Sequence, residues 1–193
     1  MIHELIARCR SYRRFYQDQA VDMETLRGLV DLARLSASGM NRQPLKYYLS
    51  YAPETNAVIF PNLGWAGYLK DWGGPVEGER PAGYIVILGD REIQSDFGVD
   101  YGIAAQSIMI GATFLGLGGC MIRNIRQAGL RRALQIPPRF EILMVLALGR
   151  PREEVVIDSV GPDGDIRYWR DAHGVHHVPK RSLDEIILAL PHE

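Results

Sequence analysis

Four short segments of this chain bring together residue types that could hold an anionic, planar ligand. Arg10-Ser11-Tyr12-Arg13-Arg14-Phe15, with Arg8 just before it, collects guanidinium groups and hydroxyls where a helix gives way to a loop. Guanidinium groups grip a phosphate through paired hydrogen bonds and a hydroxyl adds one more; the alternative is a solvated basic face. Ser36-Ala37-Ser38-Gly39-Met40-Asn41-Arg42-Gln43-Pro44 is a loop of small residues and amides directly after a helix. Its Asn and Gln side chains carry donors and acceptors that could read the edge of a heterocycle, or the stretch is a helix end and a turn. In Gly116-Leu117-Gly118-Gly119-Cys120-Met121-Ile122-Arg123 the glycines could let a ligand approach the backbone, or could simply terminate a helix. The segment leaves a helix instead of leading from strand to helix, so it is not a dinucleotide fingerprint. Finally, Pro179-Lys180-Arg181-Ser182-Leu183-Asp184-Glu185 sets a basic pair at a helix start, where positive charge is mildly unfavourable. That pair could close on the same phosphate as Arg10, or lie on the surface.

The elements that must position these segments follow from hydrophobic spacing. Ile2–Arg10 reads as a short amphipathic helix, and Asp22 is a fitting N-cap for a helix running to Leu35. Lys46–Tyr51 and Ala57–Phe60 read as two short strands separated by Pro53 and Asn56. Residues 61–81, dense in Gly, Pro and Trp, form a long connection of the kind often used as a lid or binding loop. Tyr84–Leu88 and Ile142–Leu148 are unbroken apolar runs of strand length, as expected of central strands covered on both faces. Between them the spacing predicts a buried helix over Asp100–Leu117 that runs into a Gly-rich turn, then a charged helix over Arg126–Leu134. Ile166–Trp169 and Val175–Val178 read as a hairpin around Asp171 and Gly174, before a last helix at Leu183–Leu190. Helices and strands interspersed without regular alternation argue an α+β fold, and 193 residues argue one domain spanning 1–193.

Bulk properties narrow the partners. With 22 basic against 23 acidic residues there is no general electrostatic case for nucleic acid or an anionic membrane. Cys9 and Cys120 lie far apart and fit neither a zinc spacing nor a redox pair, which suits a reducing cytoplasm. The N-terminus lacks the apolar stretch of a secretory signal, and Ile103–Ile122 carries Gln106, Ser107, Thr113 and several glycines, so it reads as a buried helix, not a membrane span. His173, His176 and His177 suggest a metal, but adjacent strand residues point to opposite faces, so no metal site is expected. Trp65, Tyr68 and Trp72 could form an apolar lid over a flat ligand, or pack within their own loop. No Ser-His-Asp or Cys-His arrangement emerges, so no catalytic side chain is assigned.

Taken together and in this order, CRSYRRF, ASGMNRQPL, GLGGCMI and KRSLDE resemble the nitroreductase family across nearly the whole chain. The resemblance implies an α+β fold with a central mixed or antiparallel sheet flanked by helices, in which two subunits interlock and FMN lies between them. It assigns Arg10, Ser11 and Arg13 to one side of the flavin, with Arg13 near the ring's N1 and O2, where a cation would stabilise the reduced anion. Ser38, Gly39, Met40, Asn41 and Gln43 would come from the partner subunit. Ile122 and Arg123 would lead towards the ring, Lys180 or Arg181 would hold the phosphate, and Trp65 and Tyr68 would meet the substrate. Cys9, Ala37, Leu45 and Arg123 depart from the family's usual residues, which touches the phosphate grip and the ring environment. The implied activity is hydride transfer from NADH or NADPH through FMN to a small planar acceptor such as a nitroaromatic or quinone. A flavin-binding protein without turnover, or an α+β interaction module without cofactor, would leave the same segments with other duties.

Overall fold

The computed structural model describes residues 1–188. Its centre is a four-stranded antiparallel sheet in the order β1-β2-β4-β3, formed by β1 (Leu45–Ser50), β2 (Gly83–Asp90), β3 (Gly118–Ile122) and β4 (Phe140–Gly149). The two apolar runs take the middle places, with Val86 opposite Val145. Every residue of β2 is buried, because helices cover both faces. Alternation along the strands divides the core in two. Ile85, Ile87, Leu146 and Leu148 face Leu26, Leu29 and Ile108 of α2 (Met23–Arg34) and α4 (Asp100–Phe114). Tyr84, Val86, Val145 and Ala147 face Ile59 and Leu130 of α3 (Pro53–Ile59) and α5 (Gln127–Ala133). The N-terminal helix α1 spans Ile2–Arg8, and Asp22 caps α2 by accepting from the Thr25 N–H at 2.7 Å.

Three local expectations are corrected. Ala57–Phe60 is not a strand: Ala57–Ile59 end α3 and Phe60 is its C-cap, while Pro53 sits at the helix start with its φ already suited to it. Asn56, which looked like a strand breaker, ties this helix to the sheet: its Nδ2 donates to the Ala82 carbonyl at 2.8 Å and its Oδ1 accepts from Ser50. The Gly-rich segment after α4 is a turn for only a few residues. Gly116 (φ +77°) ends the helix with N–H bonds from Gly116 to Thr113 and from Leu117 to Ala112, the paired closure of a Schellman motif. Then β3 begins, and its glycines make room for protein and not for ligand. A Cβ on Gly118 would come within 2.6 Å of Tyr12 and Pro151, and one on Gly119 within 2.7 Å of the Ala147 carbonyl.

The C-terminal segment builds a second, smaller sheet in the order β5-β7-β6, from β5 (Val155–Ser159), β6 (Trp169–Arg170) and β7 (His176–Lys180). The expected hairpin is present as β6 and β7, but its first arm is cut to two residues. Asp165 binds the backbone N–H and the guanidinium of Arg167, which holds the preceding residues in a local turn instead of a ladder. Strand β5 was not expected; it pairs in parallel with β7, Ile157 opposite Val178. The last helix, α6 (Leu183–Ile186), has the capping box of Ser182 and Glu185 but stops four residues before Leu190, which lies outside the described residues. Among the described residues no helix is long and apolar enough to cross a membrane.

Helix α4 is apolar on both sides although only one side meets the core. Ile103 and Phe114 lie on its outer face, and Phe114 is 78% exposed beside an exposed Leu115.

Candidate functional site

After α1 the chain runs across the edge of β3. Ser11 forms a parallel bridge with Gly119, Tyr12 N–H donates to the Gly119 carbonyl, and Tyr16 N–H donates to the Arg150 carbonyl. This extended path sends neighbouring arginines in opposite directions. Arg14 turns outward to a two-pronged bond with Glu79 at 2.7 and 2.6 Å, and Arg13 turns inward, where only 8% of it stays exposed. Arg13 lines a cleft of about 290 Å³ together with Arg10, Ser11, Met109, Met121, Tyr168, His176 and Lys180.

The cations at this cleft are incompletely satisfied. Arg10 gives one Nη2 bond to the Ile6 carbonyl at 2.8 Å, and its buried Nε has no partner among the described residues. Arg13 Nη1 donates to the Ser11 carbonyl at 3.2 Å and meets His176 Nε2 at 3.0 Å, and its guanidinium lies 4.8 Å from the centre of the Tyr168 ring. Neither Arg10 nor Lys180 forms an ion pair among the described residues. The opposite wall, from Met109 and Met121, is apolar. Such a cleft can take a ligand with a flat apolar body and an anionic end. Burial pushes the Cys120 thiol up, above its usual range, so it is poorly suited to act as a nucleophile.

The loop Ser38–Gln43 lies elsewhere, its end residues Ser38 and Gln43 lining a second cleft of about 230 Å³ with Lys46, Tyr47 and Ala104. Its anchor is Asp100, the first residue of α4 and almost fully buried. Asp100 accepts from Ser38 Oγ at 2.6 Å and from the Gly39 N–H at 2.9 Å, and Ser38 Oγ in turn accepts from the Gln43 N–H at 2.9 Å. Burial, with the Asp100 charge second, pushes the Tyr47 hydroxyl up to about 12. The loop needs an anchor because Met40, Asn41 and Gln43 all have positive φ (52°, 54° and 51°). Each such non-glycine residue costs on the order of 1 kcal/mol and persists only where its surroundings enforce it. Asp100→Ala is therefore expected to lower the unfolding free energy by about 2 kcal/mol and to speed amide hydrogen exchange at Gly39. Exchange and denaturant midpoint both equal to wild type would show that the loop holds itself.

One chain thus brings Arg10, Ser11, Arg13 and Lys180 together, whereas Ser38 and Gln43 line a separate opening and Gly39, Met40 and Asn41 line neither. Arg181 is exposed and pairs with Glu185 at 3.4 Å, away from the cleft lining. Ile122 buries its side chain in the core facing α3 and α5, whereas Met121 lines the cleft. Arg123 is exposed, 5.7 Å from the Tyr101 ring, beside a polar depression with Asp96 and Gln127. Trp65 packs on Phe60 at 5.7 Å within its own loop, and Tyr68 packs on Tyr168 at 4.9 Å, one ring away from the cleft. His176 and His177 do face opposite ways. His176 is wholly buried against Arg13, while His177 binds Asp158 at 2.8 Å and stacks on Trp169. Sequence reasoning missed Tyr168 and Asp100, and weighed His176 only as a metal ligand; the alternation of β7 was the available signal for its burial.

A model of the nitroreductase family matches residues 6–150, ending before β5. Among solved structures, a protein described as a nitroreductase in complex with FMN, from Desulfovibrio desulfuricans, is similar at 22% identity and a TM-score of 0.71, covering 100% of this chain and 98% of that one. An FMN-dependent nitroreductase from Clostridium difficile R20291 is similar at 26% identity and a TM-score of 0.63, covering 80% and 89%. A nitroreductase family protein from Clostridium novyi NT follows at 23% identity and a TM-score of 0.64, covering 79% and 87%. No match was found among curated proteins.

Proposed function

Because the chain belongs to the nitroreductase family, we propose that it is an FMN-dependent oxidoreductase that works as a cytoplasmic homodimer with one flavin-binding domain per chain. When bound, FMN supplies hydride transfer from NADH or NADPH to a small planar acceptor such as a nitroaromatic or quinone. The observation that carries this reading is the cleft with unpaired cations at its rim and methionines on its wall. The buried Arg10 Nε without a partner is a donor that a phosphate would satisfy. The residues present therefore fit the cofactor, which is also bound or required by the Desulfovibrio and Clostridium difficile relatives according to their descriptions.

Each residue then has a physical task. Arg10, Ser11 and Lys180 hold the anionic end through charged hydrogen bonds. Arg13 presents a permanent cation to the polar edge of the ring system and favours added negative charge there. Met109 and Met121 give an apolar, adaptable floor and exclude water. Ser38, Gly39, Met40, Asn41 and Gln43 supply polar contacts from the partner subunit, with Ile122 and Arg123 following the cleft's floor strand. Tyr68, through Tyr168, borders the acceptor's approach.

Two observations support the dimer. Each cleft is at or below the lower end, about 300 Å³, of ordinary ligand pockets, so neither encloses a ligand by itself. The outer face of α4 also lies bare, with Ile103 and Phe114 exposed, and an apolar helix face of this kind is normally covered. The test is the visible spectrum of the purified protein followed by anaerobic addition of NADH or NADPH. A yellow protein that bleaches is expected. One that stays yellow with both nicotinamides is a flavin-binding protein without turnover, and one that takes up no FMN overturns the reading.

A further inference from the structure

The small C-terminal sheet lines the cleft with His176, Val178 and Lys180 of β7, and a charged cluster ties it to Arg13. Arg13 is the meeting place: its backbone N–H donates to Glu153, and Glu153 also accepts from the Arg14 N–H at 3.2 Å and from Arg170 Nη2 of β6 at 2.8 Å. His176 of β7 completes the cluster, wholly buried with its Nε2 at 3.0 Å from Arg13 Nη1. A guanidinium can only donate, so Nε2 must be the acceptor and the ring proton sits on Nδ1. That Nδ1–H is buried without a partner among the described residues. A buried orphan donor costs about 1–3 kcal/mol and calls for an explanation. The explanation is that the other nitrogen is committed to Arg13.

We propose that His176 is a positioning residue, a neutral imidazole whose Nε2 fixes the Arg13 guanidinium in the orientation that faces the flavin. The proposal rests on the flavin reading of the cleft and adds the C-terminal sheet to the cofactor site. Tyr168 closes the third side, 4.8 Å from the Arg13 guanidinium and 5.2 Å from the His176 ring, so the guanidinium lies between a fixed acceptor and an aromatic face. Both Arg13 side-chain bonds use Nη1, which leaves Nη2 without a partner among the described residues. The surroundings keep the imidazole neutral. Arg13, Arg170, His177 and Lys180 are the basic groups near it and Glu153 is the one carboxylate of the cluster, already shared between Arg13, Arg14 and Arg170. Burial first, then the Arg13 and Arg170 charges, push its titration down to about 4. A protonated ring would set two donors against each other and drive Arg13 out of place.

The test has one arm that needs no flavin. Nitrogen-15 NMR of the full chain freed of flavin is expected to show His176 as a neutral ring protonated on Nδ1 from pH 6 to pH 8, with no titration near the ordinary histidine range of about 6.5. A ring protonated on Nε2, or one that titrates near its ordinary value, overturns the proposal even if no variant folds. The second arm measures FMN dissociation by fluorescence for His176→Met and His176→Gln. Methionine removes the acceptor and is expected to weaken FMN about tenfold, while glutamine keeps an acceptor at similar reach and restores most of the affinity. Equal affinity for wild type and His176→Met overturns the proposal alone. A wild-type chain that binds no FMN overturns the flavin reading, and the proposal falls with it.

Discussion

Arg13→Met is expected to give a folded protein that loses its flavin on purification and binds added FMN roughly 10- to 100-fold more weakly, the effect of removing one or two charged hydrogen bonds of about 1.5–3 kcal/mol each. The fold survives because Glu153 keeps its partners. It accepts from the Arg13 backbone N–H, which the substitution leaves in place, and from Arg170 at 2.8 Å. Two neutral acceptors, His176 Nε2 and the Ser11 carbonyl, lose this donor, a smaller cost than an uncompensated buried charge. Flavin that does bind should also be harder to reduce, since the cation that favours added negative charge has gone. Lysine at position 13 recovers only part of the loss, because an ammonium does not reproduce a planar fork held between His176 and Tyr168. The measurements are fluorescence titration and the potential of the bound flavin. Wild-type values for both would remove Arg13 from the site.

The second large effect is expected at the outer face of α4. Phe114→Glu, or Ile103→Glu with it, should convert a dimer to monomers in sedimentation without loss of helical circular dichroism. Phe114 is 78% exposed, so the substitution disturbs little within one chain. Covering a phenylalanine contributes about 1.5–3 kcal/mol, and a two-fold interface counts each residue twice. The two together put the change in dimer dissociation above roughly 100-fold, before the cost of facing two carboxylates across the interface. FMN affinity should fall in parallel, because each site loses the partner's Ser38–Gln43 loop. A monomer that keeps full flavin affinity would separate the two halves of the account and place the whole site within one chain.

The sequence was most legible where one physical cause acts alone. Tyr84–Leu88 and Ile142–Leu148 are apolar without alternation because helices cover both faces, and they occupy the centre of the sheet. It was least legible where distant residues decide. Val58 and Ile59 favour a strand locally, yet Pro53 and the tie from Asn56 to Ala82 make a helix. Gly118 and Gly119 read as a terminator because nothing nearby in sequence reveals that Tyr12, Pro151 and the Ala147 carbonyl fill their Cβ positions. Strand β5 depends on a parallel partner twenty-one residues later, a pairing with no local signal. The candidate site divides in the same way. Arginines and amides in ordered segments pointed to Arg10, Arg13 and the Ser38 loop, but the groups that hold them do not advertise themselves. Asp100 reads as an ordinary acid in a helix's first turn, and His176 reads as one of three clustered histidines until Arg13 is found beside it.

The central claim is that one flavin site is built from two chains, Arg10, Ser11, Arg13 and Lys180 from one and the Ser38–Gln43 loop from the other. Mixed dimers test it most directly. Arg13→Met and a chain carrying Asn41→Ala with Gln43→Ala are each titrated with FMN, then unfolded together, refolded and titrated again. Random pairing under two-fold symmetry makes half the dimers mixed, and each mixed dimer keeps one intact site, so about a quarter of the wild-type sites should return. A mixture that binds no more FMN than its two components measured apart would contradict the shared site.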